Sequence, residues 1–252
     1  MSRYDRLSTL IDRFALKVLP GDAGANLVVL QSPTARTPQR ILLSPIEPLE
    51  VDPTSYAQVV FSATLEWGGR DNPLLETLPR LIDIDIGQTP EMAMLAQLIQ
   101  AESEAQRCGV NGALNRLAEV LLIRILRYLI ERGQSATGLL GGLADPRLSK
   151  AIVSIHQAPG KAWNNDQLAA EAGLSLSRFT ELFHQRVGQT PQAYLRRWRM
   201  ILARQDLQRG ERVQRVAARY GYQSSEALGR AFQREFGLSP LQARLEQAAQ
   251  TV

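Results

Sequence analysis

The chain is short of the side chains that most enzymes and metal proteins rely on. Its 252 residues hold one cysteine, Cys108, and two histidines, His156 and His184. A lone thiol excludes a disulfide within the chain and fits a reducing compartment, so the expected location is the cytoplasm. No nucleophile stands at a motif spacing from His184, and His156, in IVSIHQAP, reads as a structural residue near a helix end. Long apolar runs are missing too. Nothing approaches the roughly 18–20 residues of a membrane span, and the polar start MSRYDRLS lacks the apolar core of a secretory signal. No membrane association is expected.

Hydrophobic residues make up 44% and charged residues 21%, which is ordinary for a globular chain with room for one large domain or two small ones. The net charge of +4 is unevenly spread. Residues 144–252 carry 16 Lys/Arg against 9 Asp/Glu, a net of +7, and the remainder sums to −3. A basic excess confined to one half points to a polyanion partner for that half.

Residues 14–66 contain short β-type runs, FALKVL, NLVVLQS, RILLSPI and YAQVVFSATLEW, broken by Pro20-Gly21, Pro33, Pro38, Pro45, Pro48 and Pro53. This predicts a small antiparallel sheet or barrel. NPLLETLPRLIDID reads as a capped apolar turn and a short strand, and 91–107 and 112–133 read as two helices. Leu117, Val120, Leu121, Leu122, Ile125, Leu126, Leu129 and Ile130 spread over more than one face of the second helix. A helix so broadly apolar buries two sides, either within its own chain or against a second copy. The Gly-rich stretch 134–145, QSATGLLGGLAD, has linker chemistry, and Asp145-Pro146 reads as the N-cap and first residue of a new helix. The expected organisation is therefore α+β in two domains: a β domain over 1–90, a helical pair over 91–133, a linker over 134–145 and an all-α domain over 146–252.

The all-α part contains one device written twice, LAAEAGLSLSRFTELFHQRVGQTP (168–191) and VAARYGYQSSEALGRAFQREFGLSP (216–240), offset by 48 residues before the turn and 49 after it. In the first copy Asn165 or Asp166 is expected to cap a helix of small residues, Leu168, Ala169 and Ala172. Gly173 makes the turn and Ser175 caps the next helix. Phe179, Leu182, Phe183 and Val187 then face inward, leaving Ser177, Arg178, Thr180, Glu181 and His184 outside. In the second copy Leu228, Ala231, Phe232 and Phe236 face inward, and Ser224, Ser225, Glu226, Gly229, Arg230 and Gln233 face out. Between the copies, Thr190-Pro191 opens a helix running to about Gln208, a rod of roughly 27 Å. Such a rod can hold two recognition helices about one DNA turn apart, near 34 Å.

On the motifs WNNDQLAAEAGLSLSRFTELFHQRVGQTPQAYLRRWRM and VQRVAARYGYQSSEALGRAFQREFGLSP, residues from about 146 to 245 resemble the C-terminal DNA-binding domain of the AraC/XylS family of bacterial transcription regulators. The resemblance implies about seven helices, two helix-turn-helix units, and binding to promoter or operator double-stranded DNA. NPLLETLP, CGVNGALNRLAEVLLIRILRYLI and DPRLSKAIVSIH resemble the branch of that family whose N-terminal domain is a cupin-like barrel that senses a small ligand or oxidant, followed by a helical pair. Here the barrel portion is short and departs from the pattern. Cupin metal sites use two or three His with a carboxylate, and both histidines of this chain lie in the DNA-binding half. Neither metal, cofactor nor enzymatic activity is expected of a barrel this degenerate.

Matching the family's positions nominates Ser177, Arg178, Thr180 and Glu181 in the first unit, and Ser225, Glu226, Gly229 and Arg230 in the second, as base-contact candidates. Glu181 and Glu226 can accept from cytosine N4, and Arg230 can fork onto a guanine or clamp a phosphate. Gly229 offers close approach. His184, Arg196, Arg197, Arg199 and Gln233 are phosphate-contact candidates, and Cys108 is a candidate redox thiol. Trp67, Trp163 and Trp198 are packing anchors. The leading reading is a sequence-specific regulator whose N-terminal half gives homodimerisation or an effector response, with RNA polymerase a further candidate partner. Two alternatives are a ligand-binding or enzymatic cupin attached to a DNA module, and a non-specific architectural DNA binder.

Overall fold

The computed structural model describes residues 5–14, 16–21, 23–32, 34–50, 58–69, 71–105, 107–133 and 137–250. Pro33, Pro53, Tyr56 and residues 134–136 of the expected linker lie outside them. Two compact units are present, Leu10–Leu140 and Gly141–Val252, the latter grouped with Met1–Thr9.

The first unit holds strands β1 (Lys17–Pro20), β2 (Leu27–Gln31), β3 (Arg40–Leu43), β4 (Gln58–Glu66) and β5 (Ile82–Asp85) in the order β1-β4-β2-β3-β5. All four ladders are antiparallel, and β2 carries a register shift between Val29 and Leu30. The alternation expected of a half-buried strand is plain in β5, where Ile82 and Ile84 are buried and Asp83 and Asp85 exposed. β2 differs, with four consecutive buried residues, Leu27 to Leu30. It lies between two neighbours in the sheet, and both its faces are covered. Among the described residues the small sheet is open, with β1 and β5 as its edges.

Helices α2 (Pro90–Ala105) and α3 (Val110–Arg132) pack against each other, α3 also on β1 and α2 on β4. α3 buries Leu114, Ala118, Leu121, Leu122, Ile125, Leu126, Leu129 and Ile130. Val120 stays 45% exposed, as do Met94 and Leu98 of α2 at 64% and 52%. The second apolar side foreseen for α3 is thus only partly covered within this chain.

Two stretches differ from the sequence expectation. The run FALKVL does not begin a strand at Phe14, which instead ends a helix, α1 (Ser8–Phe14). Its backbone is approached by Gly68, where a Cβ would fall 1.7 Å from the Phe14 carbonyl oxygen. The stretch expected as a linker, 134–145, contains a helix, α4 (Leu139–Ala144), with Leu139, Leu140 and Leu143 buried. Burial of three leucines outweighs the low helix propensity of its two glycines. A Cβ on Gly142 would sit 2.6 Å from Ile152 Cδ1 and 2.8 Å from Val187 Cγ2, so close packing accounts for that glycine.

The second unit continues with α5 (Leu148–Gln157), α6 (Asn165–Ala172), α7 (Leu176–Val187), α8 (Pro191–Gln208), α9 (Val213–Arg219), α10 (Ser225–Phe236) and α11 (Pro240–Gln250), the seven helices that the family resemblance implies. Asp145 accepts from the backbone N–H groups of Arg147 and Leu148 at 2.9 and 3.3 Å, but in the turn ahead of α5: the helix begins at Leu148 with Arg147 at its N-cap, two residues later than the expected Asp145-Pro146 start. Its core is aromatic: Phe179, Phe183, Tyr220 and Phe232 are wholly buried, and Trp198 is nearly so.

Candidate nucleic-acid interface

The two halves of the repeat are built by the same hydrogen bonds. At the first turn Gly173 N–H donates to Ala170 O and Leu174 N–H to Ala169 O. At the second, Gly221 N–H donates to Ala218 O and Tyr222 N–H to Ala217 O, each 48 positions on. Both glycines are left-handed, with φ of 65° and 76°, which closes the helix end at no steric cost. One added residue follows, and from there the offset is 49. Ser175 and Ser224 cap α7 and α10 by accepting from Arg178 N and Ala227 N. Gly188 and Gly237 end these helices in left-handed conformation. α7 and α10 are each 12 residues long. The cap of α6 differs from expectation by one place. Asn164 makes it, in a reciprocal capping box with Gln167, because the N3 position needed for that box falls on Gln167.

On α7 the side chains of Phe179, Leu182, Phe183 and Val187 are buried, and on α10 those of Leu228 and Phe232, with Ala231 and Phe236 half-buried. The opposite faces reach solvent. Ser177, Arg178, Glu181 and His184 are exposed and Thr180 half-exposed on α7; Glu226, Arg230 and Gln233 are exposed and Ser225 and Gly229 half-exposed on α10. All eight base-contact candidates thus lie on the outward side of a recognition helix, four on each.

Their local chemistry differs. Arg178 pairs with Glu181 at 2.8 Å, both half or more exposed, a surface pair of about 0–1 kcal/mol that an approaching base or phosphate can exchange. Thr180 donates its hydroxyl hydrogen to the carbonyls of Leu176 and Ser177, so toward a ligand it presents an acceptor. The Ser224 hydroxyl and its own backbone N–H hold the Glu226 carboxyl below its usual range, with Arg230 adding to the effect. Glu226 is therefore an ionised, acceptor-only group at the start of α10. Arg230, one turn along, has no hydrogen bond or ion pair among the described residues. At Gly229 a Cβ would meet nothing within 4 Å.

The phosphate-contact candidates separate into two kinds. His184, Arg196 and Gln233 are exposed. Arg197 lies 3.8 Å from Glu235. Arg199 is committed inward, its Nε donating to Pro159 O at 2.6 Å and its Nη2 to Lys161 O at 2.7 Å. Two filled carbonyl contacts make Arg199 a brace rather than a surface cation, a departure from the sequence reading. Arg186 and Arg234, exposed in the last turns of α7 and α10, are two further surface cations beside the nominated residues; their signal in the sequence is a basic residue on the polar face of an amphipathic helix.

His156 is a core residue. Its Nε2 lies 2.6 Å from the Tyr194 hydroxyl and its ring stacks on Trp198 with centroids 4.0 Å apart. Burial pulls its pKa down to about 3, so it is neutral, and the same burial pushes the Tyr194 hydroxyl upward. Trp67, Trp163 and Trp198 are buried. Cys108 is exposed in the turn before α3. Among the described residues no helix is long and apolar enough to cross a membrane, and no group of three or more His, Cys, Asp or Glu is placed to hold a metal ion.

Two helix-turn-helix units joined by one 18-residue helix, each offering a polar recognition face, define a double helix-turn-helix DNA-reading domain. A family of helix-turn-helix domains matches residues 168–246, and a cupin family matches residues 11–131. An uncharacterized helix-turn-helix-type transcriptional regulator of Haemophilus influenzae is 32% identical over 176 residues, 69% of this chain and 59% of that protein. The helix-turn-helix-type transcriptional regulator AlkR of Acinetobacter baylyi is 33% identical over 174 residues, 67% of this chain and 57% of its own length. A crystal structure of a transcriptional regulator from Chromobacterium violaceum, one of the AraC-type DNA-binding domain-containing proteins, is 24% identical, covering 42% of this chain and 95% of that one, with a TM-score of 0.40. The chain spans a little over half the length of the curated relatives it matches. Residues 168–246 thus belong to a helix-turn-helix family and residues 11–131, ahead of them, to a cupin family, and the chain is similar to proteins named as AraC-like transcription regulators.

Proposed function

We propose that this protein is a sequence-specific, DNA-binding transcription regulator that places α7 and α10 in successive major grooves of one duplex. The observation that carries the reading is the repeated pair of solvent-facing recognition helices, each capped at both ends and joined by α8. Ser177, Arg178, Thr180, Glu181, Ser225, Glu226, Gly229 and Arg230 meet base edges. His184, Arg196, Arg197 and Gln233 contribute to phosphate contact, with RNA polymerase as a downstream partner at the promoter. The protein works in the cytoplasm as a binder, not a catalyst. Its cupin-like unit supplies dimerisation or effector response. Exposed Met94, Leu98 and Val120 on α2 and α3 favour a homodimer through the helical pair, and exposed Cys108 is the candidate thiol for an oxidant signal.

The test is footprinting on DNA beside the protein's own gene, against random DNA at physiological salt. A protected site of about two helical turns per subunit, bound at least ~10³-fold more tightly than random sequence, supports the reading. Arg230→Ala should then cost about 1–3 kcal/mol and relax preference at one position. Uniform, weak, salt-sensitive binding across all fragments would instead describe an architectural DNA binder.

A further inference from the structure

Helix α8 carries three polar side chains at intervals of seven, Gln192, Arg199 and Asp206. Seven residues are nearly two helical turns, so the three lie along one side of the helix. Each is engaged with a different part of the repeat. Gln192 Nε2 donates to Trp163 O and Asn165 Oδ1, both at 3.1 Å, where α6 begins. Arg199 holds the carbonyls of Pro159 and Lys161 in the loop ahead of α6. Asp206, buried, accepts through Oδ2 from Arg219 Nη1 at 2.5 Å and from Tyr220 OH at 2.7 Å, where α9 ends. The stripe therefore grips the first helix-turn-helix unit twice and the second once.

The gripped segments also touch each other. A Cβ on Gly160 would lie 2.2 Å from Arg219 O, and one on Gly221 would lie 2.7 Å from Gly160 O and 3.6 Å from Arg199 Nη2. Two bare backbones meet there, directly beneath the Arg199 guanidinium. The loop is stiffened further by Trp163 Nε1 donating to Ala158 O and by Lys161 Nζ standing 3.6 Å over the Trp163 ring.

We infer that Arg199, with Gln192 and Asp206, is a positioning residue. It bolts the two helix-turn-helix units into one rigid body and thereby sets the base-pair spacing between the two half-sites that the protein accepts. This rests on the DNA-reading function proposed above. Adding one base pair between half-sites moves the second by about 3.4 Å and turns it by about 35°. A rigid reader cannot follow that step, whereas a hinged one can.

The experiment uses the full chain. Wild-type protein is put through selection from a random duplex pool, and the enriched site is remade with one base pair inserted or removed between its boxes. The wild type should lose about tenfold or more on either change, the loss expected for forfeited base contacts. Arg199→Met should bind isolated single boxes as the wild type does but show a spacing penalty reduced severalfold. Arg199→Lys, able to reach one carbonyl, should fall between them and serves if the Met variant does not fold. An unchanged penalty in a folded variant overturns the inference, as does uniform weakening at every spacing. If the wild type enriches no site, the DNA-reading function fails. The clamp is then judged separately by the distance between spin labels at Gln185→Cys and Arg234→Cys in a Cys108→Ser background. A narrow distribution that broadens in Arg199→Met upholds the clamp; equal widths refute it.

Discussion

Gly229 sits within α10, where glycine is costly, yet nothing in the fold requires it. Its φ is not in the left-handed region, and the space beside its Cα is open. Gly229→Ala should therefore stabilise the helix by about 0.5–1 kcal/mol through the backbone freedom removed from the unfolded chain. At ~4–8 °C per kcal/mol for a domain of this size, the melting temperature should rise by roughly 2–8 °C. On DNA the sign reverses. A Cβ on the outward face of a recognition helix holds that face away from the base edges, and affinity for the selected site should fall by about tenfold. Calorimetry and a binding titration on the same preparation read the two effects independently. A higher melting temperature with unchanged or tighter binding would refute the idea that DNA closes on Gly229. A lower melting temperature would refute the packing argument itself.

Further outcomes follow from the core of the same unit. His156 has a folded pKa near 3 against an ordinary 6.5, so the unfolded chain takes up a proton that the folded one refuses. Its contribution is fully present above pH 6.5 and is lost as pH falls toward 3, at up to ~1.4 kcal/mol per pH unit. His156→Gln, which keeps a partner for Tyr194, should flatten the fall in melting temperature between pH 6.5 and 5; parallel curves would count against this. Asp206→Ala takes an acceptor from the buried Tyr220 hydroxyl and leaves Arg219 only its weaker pair with Glu211, an expected loss of about 2–4 kcal/mol in chemical denaturation. In that background Tyr220→Phe should cost little, and a full additional loss would deny the coupling. Ser175→Ala and Ser224→Ala should each cost about 1 kcal/mol and add, since each removes a separate cap.

The repeat was legible because its signals are local. Gly173, Gly188, Gly221 and Gly237 mark helix ends, Ser175 and Ser224 mark starts, and the inward aromatics recur at helical spacing. What escaped detection was set by tertiary contact. α4 was hidden in QSATGLLGGLAD because its leucines outweigh its glycines only once buried. Phe14 reads equally well as the start of a strand or the end of a helix until Gly68 closes on its backbone. Arg199 sits in a run of arginines on an amphipathic helix, where its pattern is that of a surface cation. Only the carbonyls of Pro159 and Lys161 reveal that it points inward, and nothing in HQAPGK advertises Gly160 as a contact point.

The matched caps of α7 and α10 have a consequence for the history of such proteins. Each recognition helix is started by a serine, ended by a left-handed glycine and anchored by apolar side chains, none of which belongs to the outward face. That face can be rewritten residue by residue with little loss of folding free energy. Duplication of the cassette followed by drift of its outer letters is thus an open evolutionary route, and the same route is available to an engineer seeking a new operator.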